Sequence, residues 1–206
     1  MTHTTEQEVF WEGDFGNEYI DRNRGAGLVA SKTAFFSKAL ARTEKVQDIL
    51  ELGSNIGLNL VALRYLLPTA KLSAVEINEK AASELQSNIP GVDLYVSSIL
   101  EFQPSVTWDL VFTKGVLIHI NPEKLPIVYE LMHRASSRYL LVSECYNPKP
   151  TEVNYRGHTG KFFKRDFAGE ILDKFSDLSL IDYGFVYHRD PGFPLNDSTW
   201  FLMEKQ

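Results

Sequence analysis

Between Val46 and Cys145 short apolar runs of β character alternate with stretches of helical period, and this alternation narrows the possible folds more than any other feature of the chain. "VQDILEL" (46–52), "KLSAVEI" (71–77), "VDLYVSS" (92–98), "WDLVFT" (108–113) and "RYLLVSEC" (138–145) read as strands. "GLNLVALRYLL" (57–67) reads as a helix stopped by Pro68, and a second helix runs from Asn78, which suits an N-cap, to Ile89 before Pro90. In "NPEKLPIVYELMHRASS", Asn121 is the expected cap and Pro122 the first helical residue, with Leu125, Val128, Leu131, Met132 and Ala135 on one face. Strands separated by helices pair in parallel, which predicts a sheet covered on both faces.

After Cys145 the pattern changes. "KRDFAGEILDKF" is an amphipathic helix, but "LSLIDYGFVYHR" and "STWFLMEK" are strands joined by a Pro/Gly/Asn/Asp-rich loop without a helix, so they are expected to pair antiparallel. Upstream, residues 28–43 carry a helical apolar face, and residues 1–26 are aromatic and polar with weak periodicity. A chain of 206 residues with 44% hydrophobic content supports one full core, so the expectation is a single α/β domain: residues 1–27 form an N-terminal lid or cap and residues 28–206 the core.

A net charge of -6 argues against nucleic acid, whose phosphates require a cationic surface. One cysteine, no Cys/His grouping at zinc-ligand spacing, no basic-then-apolar start and no apolar run near 18 residues lead to the expectation of a soluble cytoplasmic protein without metal or membrane contact. The sequence leaves the oligomeric state open.

In an open parallel sheet, ligands bind beyond the carboxyl ends of the strands, and "ELGSNIG" (51–57) fills the first strand-to-helix turn. A dinucleotide fingerprint needs glycine at 53, 55 and 58, where this chain has Gly53, Asn55 and Leu58; no Walker-type loop exists either. Asn55 tolerates left-handed backbone, so the turn survives, but a pyrophosphate is less easily approached. Glu76 closes the second strand, where a carboxylate accepts bonds from ribose hydroxyls. Glu51, the turn with Asn55, and Glu76 together fit an adenosine ligand without phosphate; the competing reading is an ordinary turn with a solvated Glu76.

"ILELGSNIG", "AVEIN", "VSSILEF" and "WDLVFTKGVLIHI" resemble the successive motifs of class I S-adenosylmethionine-dependent methyltransferases, over roughly residues 28–206. "FWEGDFGNEYIDRNRG", "YRGHTGKFFKRDF" and "YHRDPGFPLNDSTWFLMEK" resemble more narrowly the pseudaminic acid biosynthesis-associated methylases. The resemblance implies a Rossmann-like fold with a seven-stranded mixed sheet in order 3-2-1-4-5-7-6, strand 7 antiparallel, helices on both faces, and S-adenosyl-L-methionine as cofactor. It implies that Gly53 and Ser54 approach the methionine moiety, that Glu76 holds the ribose and that Ile77 packs on the adenine. Ser98 and Ile99 fall at the adenine edge, where many relatives carry an Asp, and Lys114 falls near the methionine end.

Methyl transfer needs an aligned nucleophile and, for a hydroxyl or ammonium, a route for its proton. The candidates for that chemistry are His119 in "LIHINP", Glu144 after the fifth strand, and Tyr155. Tyr146, Arg156, His158 and Lys161 are candidates for binding a polar or anionic small molecule, with His188 and Arg189 able to complete that pocket. In the N-terminal segment, Trp11, Phe15 and Tyr19 offer aromatic faces to a sulfonium, and Arg24 is expected to pair with the methionine carboxylate. For each of these a purely structural role competes, as a packed histidine, a loop contact or a patch over apolar surface. The expectation is a methyltransferase acting on O or N of a small polar metabolite, a nonulosonic acid sugar or its precursor. The alternatives are a nicotinamide-dependent oxidoreductase and a non-catalytic binding module of the same fold.

Overall fold

A computed structural model of the chain describes residues 4–22 and 24–206. Two short helices come first, α1 (Glu6–Glu12) and α2 (Asp14–Asp21), then α3 (Ala26–Ala39). The alternating part follows as β1 (Asp48–Leu52), α4 (Leu58–Leu66), β2 (Lys71–Glu76), α5 (Glu79–Asn88), β3 (Asp93–Val96), β4 (Trp108–Lys114), α6 (Leu125–Ala135) and β5 (Ser136–Glu144). The remainder is β6 (Thr151–Glu152), β7 (Phe163–Lys164), α7 (Phe167–Lys174), β8 (Leu178–Val186) and β9 (Ser198–Lys205).

The seven-stranded sheet has the order β3-β2-β1-β4-β5-β9-β8. The strands from β1 to β5 are parallel, and β9 is inserted antiparallel between β5 and β8. This is the expected order 3-2-1-4-5-7-6 once the separate β6–β7 ladder is set aside. Alternate residues of the central strands feed opposite cores, because successive side chains of a strand point to opposite faces. Leu50, Leu52, Val111 and Val142 pack with Val128 and Met132 of α6 and Ile171 of α7. Ile49, Leu110, Phe112 and Leu141 pack with Phe36 of α3, Leu60 and Leu63 of α4 and Leu85 of α5. Burying such a side chain fully is worth roughly 1.5–3 kcal/mol, which favours an interior place for β1, whose Ile49, Leu50 and Leu52 are buried between β2 and β4.

Local signals act as the residues dictate. Asn78 caps α5 by accepting from the Ala81 amide at 2.9 Å. Asn121 accepts from the Glu123 amide, but Pro122 opens a 3-10 turn, Pro122–Lys124, and the α-helix proper begins only at Leu125. The β6–β7 hairpin was not expected from the sequence, since each strand has only two residues and no alternation can show. The N-terminal segment is two helices. Thr5 and Glu8 form a reciprocal capping box on α1, and Ile20 of α2 is buried with Ile56 and Ala81. Residues 1–3 and 23 of the expected lid lie outside the described residues. No described helix is long and apolar enough to cross a membrane.

Candidate functional site

A cleft opens at the carboxyl ends of β1, β2 and β4 beneath α1 and α2, and the glycine-rich turn forms its floor. Gly53 has φ +75°, and a Cβ there would stand 2.7 Å from Val116 Cγ2, so this position admits hydrogen alone without movement. The Gly53 amide donates to the Val75 carbonyl at 2.8 Å, tying the turn to β2. Asn55 is left-handed at φ 50°, and its side-chain oxygen accepts from the Ile56 amide at 2.7 Å. Glu76, 7% exposed, accepts from the Asn55 amide at 2.6 Å and from the Asn78 amide at 2.9 Å, one on each carboxylate oxygen. Burial pushes its carboxyl up, against backbone hydrogen bonds from Asn78 and Asn55.

Deeper in, a buried polar relay starts at Glu51. Its Oε1 accepts from Asn59 Nδ2 at 2.5 Å, and Asn59 Oδ1 accepts from Lys32 Nζ at 2.6 Å. Burial pushes the Glu51 carboxyl up; removal from solvent and the neighbouring Lys114 push Lys32 down. Lys114 is likewise lowered by burial and lies 4.8 Å over the Phe35 ring. Lys32, Asn59 and Lys114 line the cleft, while Glu51 lies behind them.

At the other end stands His119, in the 3-10 turn Leu117–His119 after β4. Its Nδ1 is 2.7 Å from the Lys161 carbonyl oxygen, an acceptor, so Nδ1 carries the hydrogen and Nε2 has the free lone pair. Burial pushes the imidazole down to about 4, the Lys161 carbonyl opposing, and the ring is neutral at pH 7. Around it pack Trp11, Tyr155 and Phe162, with ring centroids at 4.5, 4.9 and 5.4 Å.

The structure brings Tyr19, Gly53, Ser54, Asn55, Glu76 and Ile77 together on the cleft wall, with Ser98, Ile99, Lys114 and His119. Tyr155 packs at a tilt against His119 and stacks on Phe162, outside the lining. The remaining expected residues, Glu51 among them, lie outside the lining. Arg24 is exposed and paired with Glu84 of α5 at 2.9 Å, so its charge is engaged away from the cleft. Glu144 is buried beneath the site: its carboxylate accepts from the Val116, Leu117 and Ile118 amides at 3.1, 3.2 and 3.4 Å and thereby shapes the turn that carries His119. Burial pushes that carboxyl up to about 7, the three amides opposing. Tyr146 is 42% exposed and turned toward Phe201. Lys161 offers its carbonyl to His119, while its ammonium pairs with Glu6 of α1 at 3.0 Å.

Arg156 is exposed with its guanidinium 5.9 Å from the Tyr155 ring centroid, and His158 packs edge-on against Phe10 at 5.0 Å. His188 is engaged by Asp197 at 2.9 Å, and Arg189 is exposed. The cleft also holds residues that sequence reasoning did not single out, Gln7, Glu8, Lys32, Asn59 and Asn78. Asn59, in the first turn of the helix after the glycine turn, and Asn78, the expected cap two residues past Glu76, had positional signals; Gln7, Glu8 and Lys32 reach the cleft from helices without one.

No protein-family model and no curated protein sequence matches the chain. Solved structures do. Magnesium protoporphyrin IX methyltransferase from Synechocystis PCC 6803, with bound S-adenosylhomocysteine, is similar with a TM-score of 0.71 and 15% identity, over 98% of this chain and 100% of that one. A 1,6-didemethyltoxoflavin-N1-methyltransferase from Burkholderia thailandensis, also with S-adenosylhomocysteine, gives 0.71 and 15%, over 100% and 92% of the two chains. An amino pentose methyltransferase from Micromonospora echinaspora with bound S-adenosylmethionine gives 0.65 and 13%, over 93% and 97%. Strand order, reversed β9 and near-complete coverage agree: the chain has the Rossmann-like fold of S-adenosylmethionine-dependent methyltransferases.

Proposed function

We propose that the protein is a methyltransferase that uses S-adenosyl-L-methionine to methylate an oxygen or nitrogen of a small polar metabolite. The observation that carries this reading is the buried Glu76 carboxylate beside the left-handed Gly53–Asn55 turn. Two of its lone-pair sites hold the turn and the Asn78 amide, and the remaining ones suit the two hydroxyls of a ribose. The crowding at Gly53 keeps the turn bare for close approach of a ligand. Lys32 and Lys114 offer ammonium groups in the cleft for an amino-acid carboxylate, whose negative charge would oppose the burial that pushes both down, whereas Arg24 is engaged by Glu84 outside the lining. When bound, S-adenosyl-L-methionine supplies a methyl group on a positively charged sulfur, open to in-line displacement.

His119 Nε2 accepts a hydrogen bond from the attacking group, orients its lone pair and takes its proton as the new bond forms. Lys161, through its carbonyl, fixes the tautomer, and Glu144 fixes the turn. α1 and α2 act as the lid, with Trp11 and Tyr155 walling the reacting space from water. For the acceptor, we propose an anionic sugar of the nonulosonic acid class or its precursor. The exposed Arg156 guanidinium beside the Tyr155 ring supports a negatively charged substrate; Arg22 and Lys161 are already paired with Glu18 and Glu6. The fold also serves an amino pentose methyltransferase, which is consistent with a sugar.

Isothermal titration with S-adenosylhomocysteine tests the reading. Binding by the wild type, weakened at least about tenfold in Glu76→Gln, is expected, since the amide offers the ribose one acceptor oxygen in place of two. Folded wild-type protein that binds neither S-adenosylhomocysteine nor S-adenosylmethionine overturns it.

A further inference from the structure

Glu8 is a charged residue on a helix of polar burial, 6% exposed, and it lines the cleft. Its Oε2 is saturated: the Thr4 and Thr5 amides donate at 3.0 and 2.8 Å, and the two threonine hydroxyls at 3.0 and 2.9 Å. Its Oε1 takes a bond from the Ser98 hydroxyl at 2.5 Å, which leaves that oxygen a second lone pair. Burial pushes the carboxyl up, but the bonds from Ser98, Thr5 and Thr4 outweigh it and hold the group below its usual value, so it is ionised and accepts only. Ser98 has spent its hydrogen on Glu8, and its oxygen accepts from the Leu100 amide at 3.1 Å. Neither side chain has a hydrogen left to give, and a ligand edge seated between them must be a donor.

β3 lies on the far side of β2 from β1, so the Ser97–Leu100 loop borders the part of the cleft beyond Glu76. We infer that Glu8 is the specificity residue for the cofactor's base, its carboxylate accepting the exocyclic amino group of adenine. The inference rests on the methyltransferase reading above. It also ties base recognition to the lid, because α1 simultaneously grips the loop that positions His119. Gln7 Nε2 donates to the Gly160 carbonyl at 2.7 Å, and Glu6 pairs with Lys161.

The test compares S-adenosylhomocysteine with S-inosylhomocysteine, in which an oxygen replaces the amino group, by titration calorimetry on wild type, Glu8→Gln and Ser98→Ala. Glutamine keeps the capping box, and with its carbonyl held by Thr4 and Thr5 it turns an NH2 donor toward the base. Wild type is expected to prefer the adenosyl ligand by at least about tenfold, and Glu8→Gln to lower that ratio to about one or to invert it. Ser98→Ala is expected to keep the preference, since it leaves the carboxylate in place. An unchanged ratio in folded Glu8→Gln, or its loss in Ser98→Ala, overturns the role of Glu8 while leaving the cofactor assignment intact. No binding of either ligand to wild type is instead the failure of the methyltransferase reading itself.

Discussion

Gly53 and Gly115 follow adjacent strands with nearly the same backbone angle, φ +75° and +72°, yet a Cβ at Gly115 meets nothing within 4 Å while one at Gly53 strikes Val116. Alanine at Gly115 therefore costs the left-handed penalty alone, roughly 1–2 kcal/mol. At Gly53 the same change adds a packing conflict of about 1–3 kcal/mol, a difference that urea denaturation of the two variants measures. His119 makes a pH prediction. Its imidazole is held down at about 4 in the folded chain against an ordinary 6.5, so its stability contribution is complete above pH 6.5 and is lost as pH falls toward 4, where the unfolded chain takes up the proton that the buried ring refuses. The loss is on the order of 3 kcal/mol; it is expected to be absent from the stability profile of His119→Gln between pH 7 and pH 4 and therefore to remain in the difference curve between wild type and variant. Gly53, Glu76 and His119 were legible because each sits at a fixed offset from a strand end. Arg24 was not, because the partner that claims it, Glu84, is 60 positions away and nothing local announces it. Glu144 misled for a related reason: its ligands are backbone amides, which every sequence has.

Among the elements, α5 and the N-terminal helices are tied by hydrogen bonds at Asn78, beside the packing of Ile20 on Ala81. Asn78 is 3% exposed; its oxygen caps α5, and its amide nitrogen donates to the Trp11 and Glu12 carbonyls and to Asn17 Oδ1 at 3.3, 2.9 and 3.0 Å. Asn78→Ala is expected to cost about 1 kcal/mol for the cap and a further 1–2 kcal/mol for the stranded carbonyls. Asn78→Asp keeps the cap and loses the grip, so limited proteolysis is expected to cut α1 and α2 faster in both variants while the aspartate variant keeps more of its thermal stability. The strands and helices from β1 to β5 could be read in advance because their buried faces are apolar and periodic. α1 could not, because the residues it buries are Gln7 and Glu8, and polar burial leaves no trace in a hydrophobic pattern.

For the whole molecule, the two large cores owe nothing to α1 and α2, whose buried apolar contribution is Ile20 in a small cluster with Ile56 and Ala81. Deletion of residues 1–22 is therefore expected to leave a folded sheet with Tm lowered by roughly 5–10 °C, at about 2–4 °C per kcal/mol for a chain of this size. The truncated protein is expected to gain no thermal protection from S-adenosylhomocysteine, and scans with and without the ligand check both statements. The place of β9 has a consequence for biogenesis. A ribosome delivers β8 before β9, but β9 is the strand between β5 and β8, so β8 emerges with no ladder to join. Sheet assembly cannot follow synthesis on this side of the molecule. Until β9 arrives, β5 and β8 both stand as open edges, the most adhesive surfaces a half-made sheet can present, and the exposed Tyr183 and Phe185 lie on one of them.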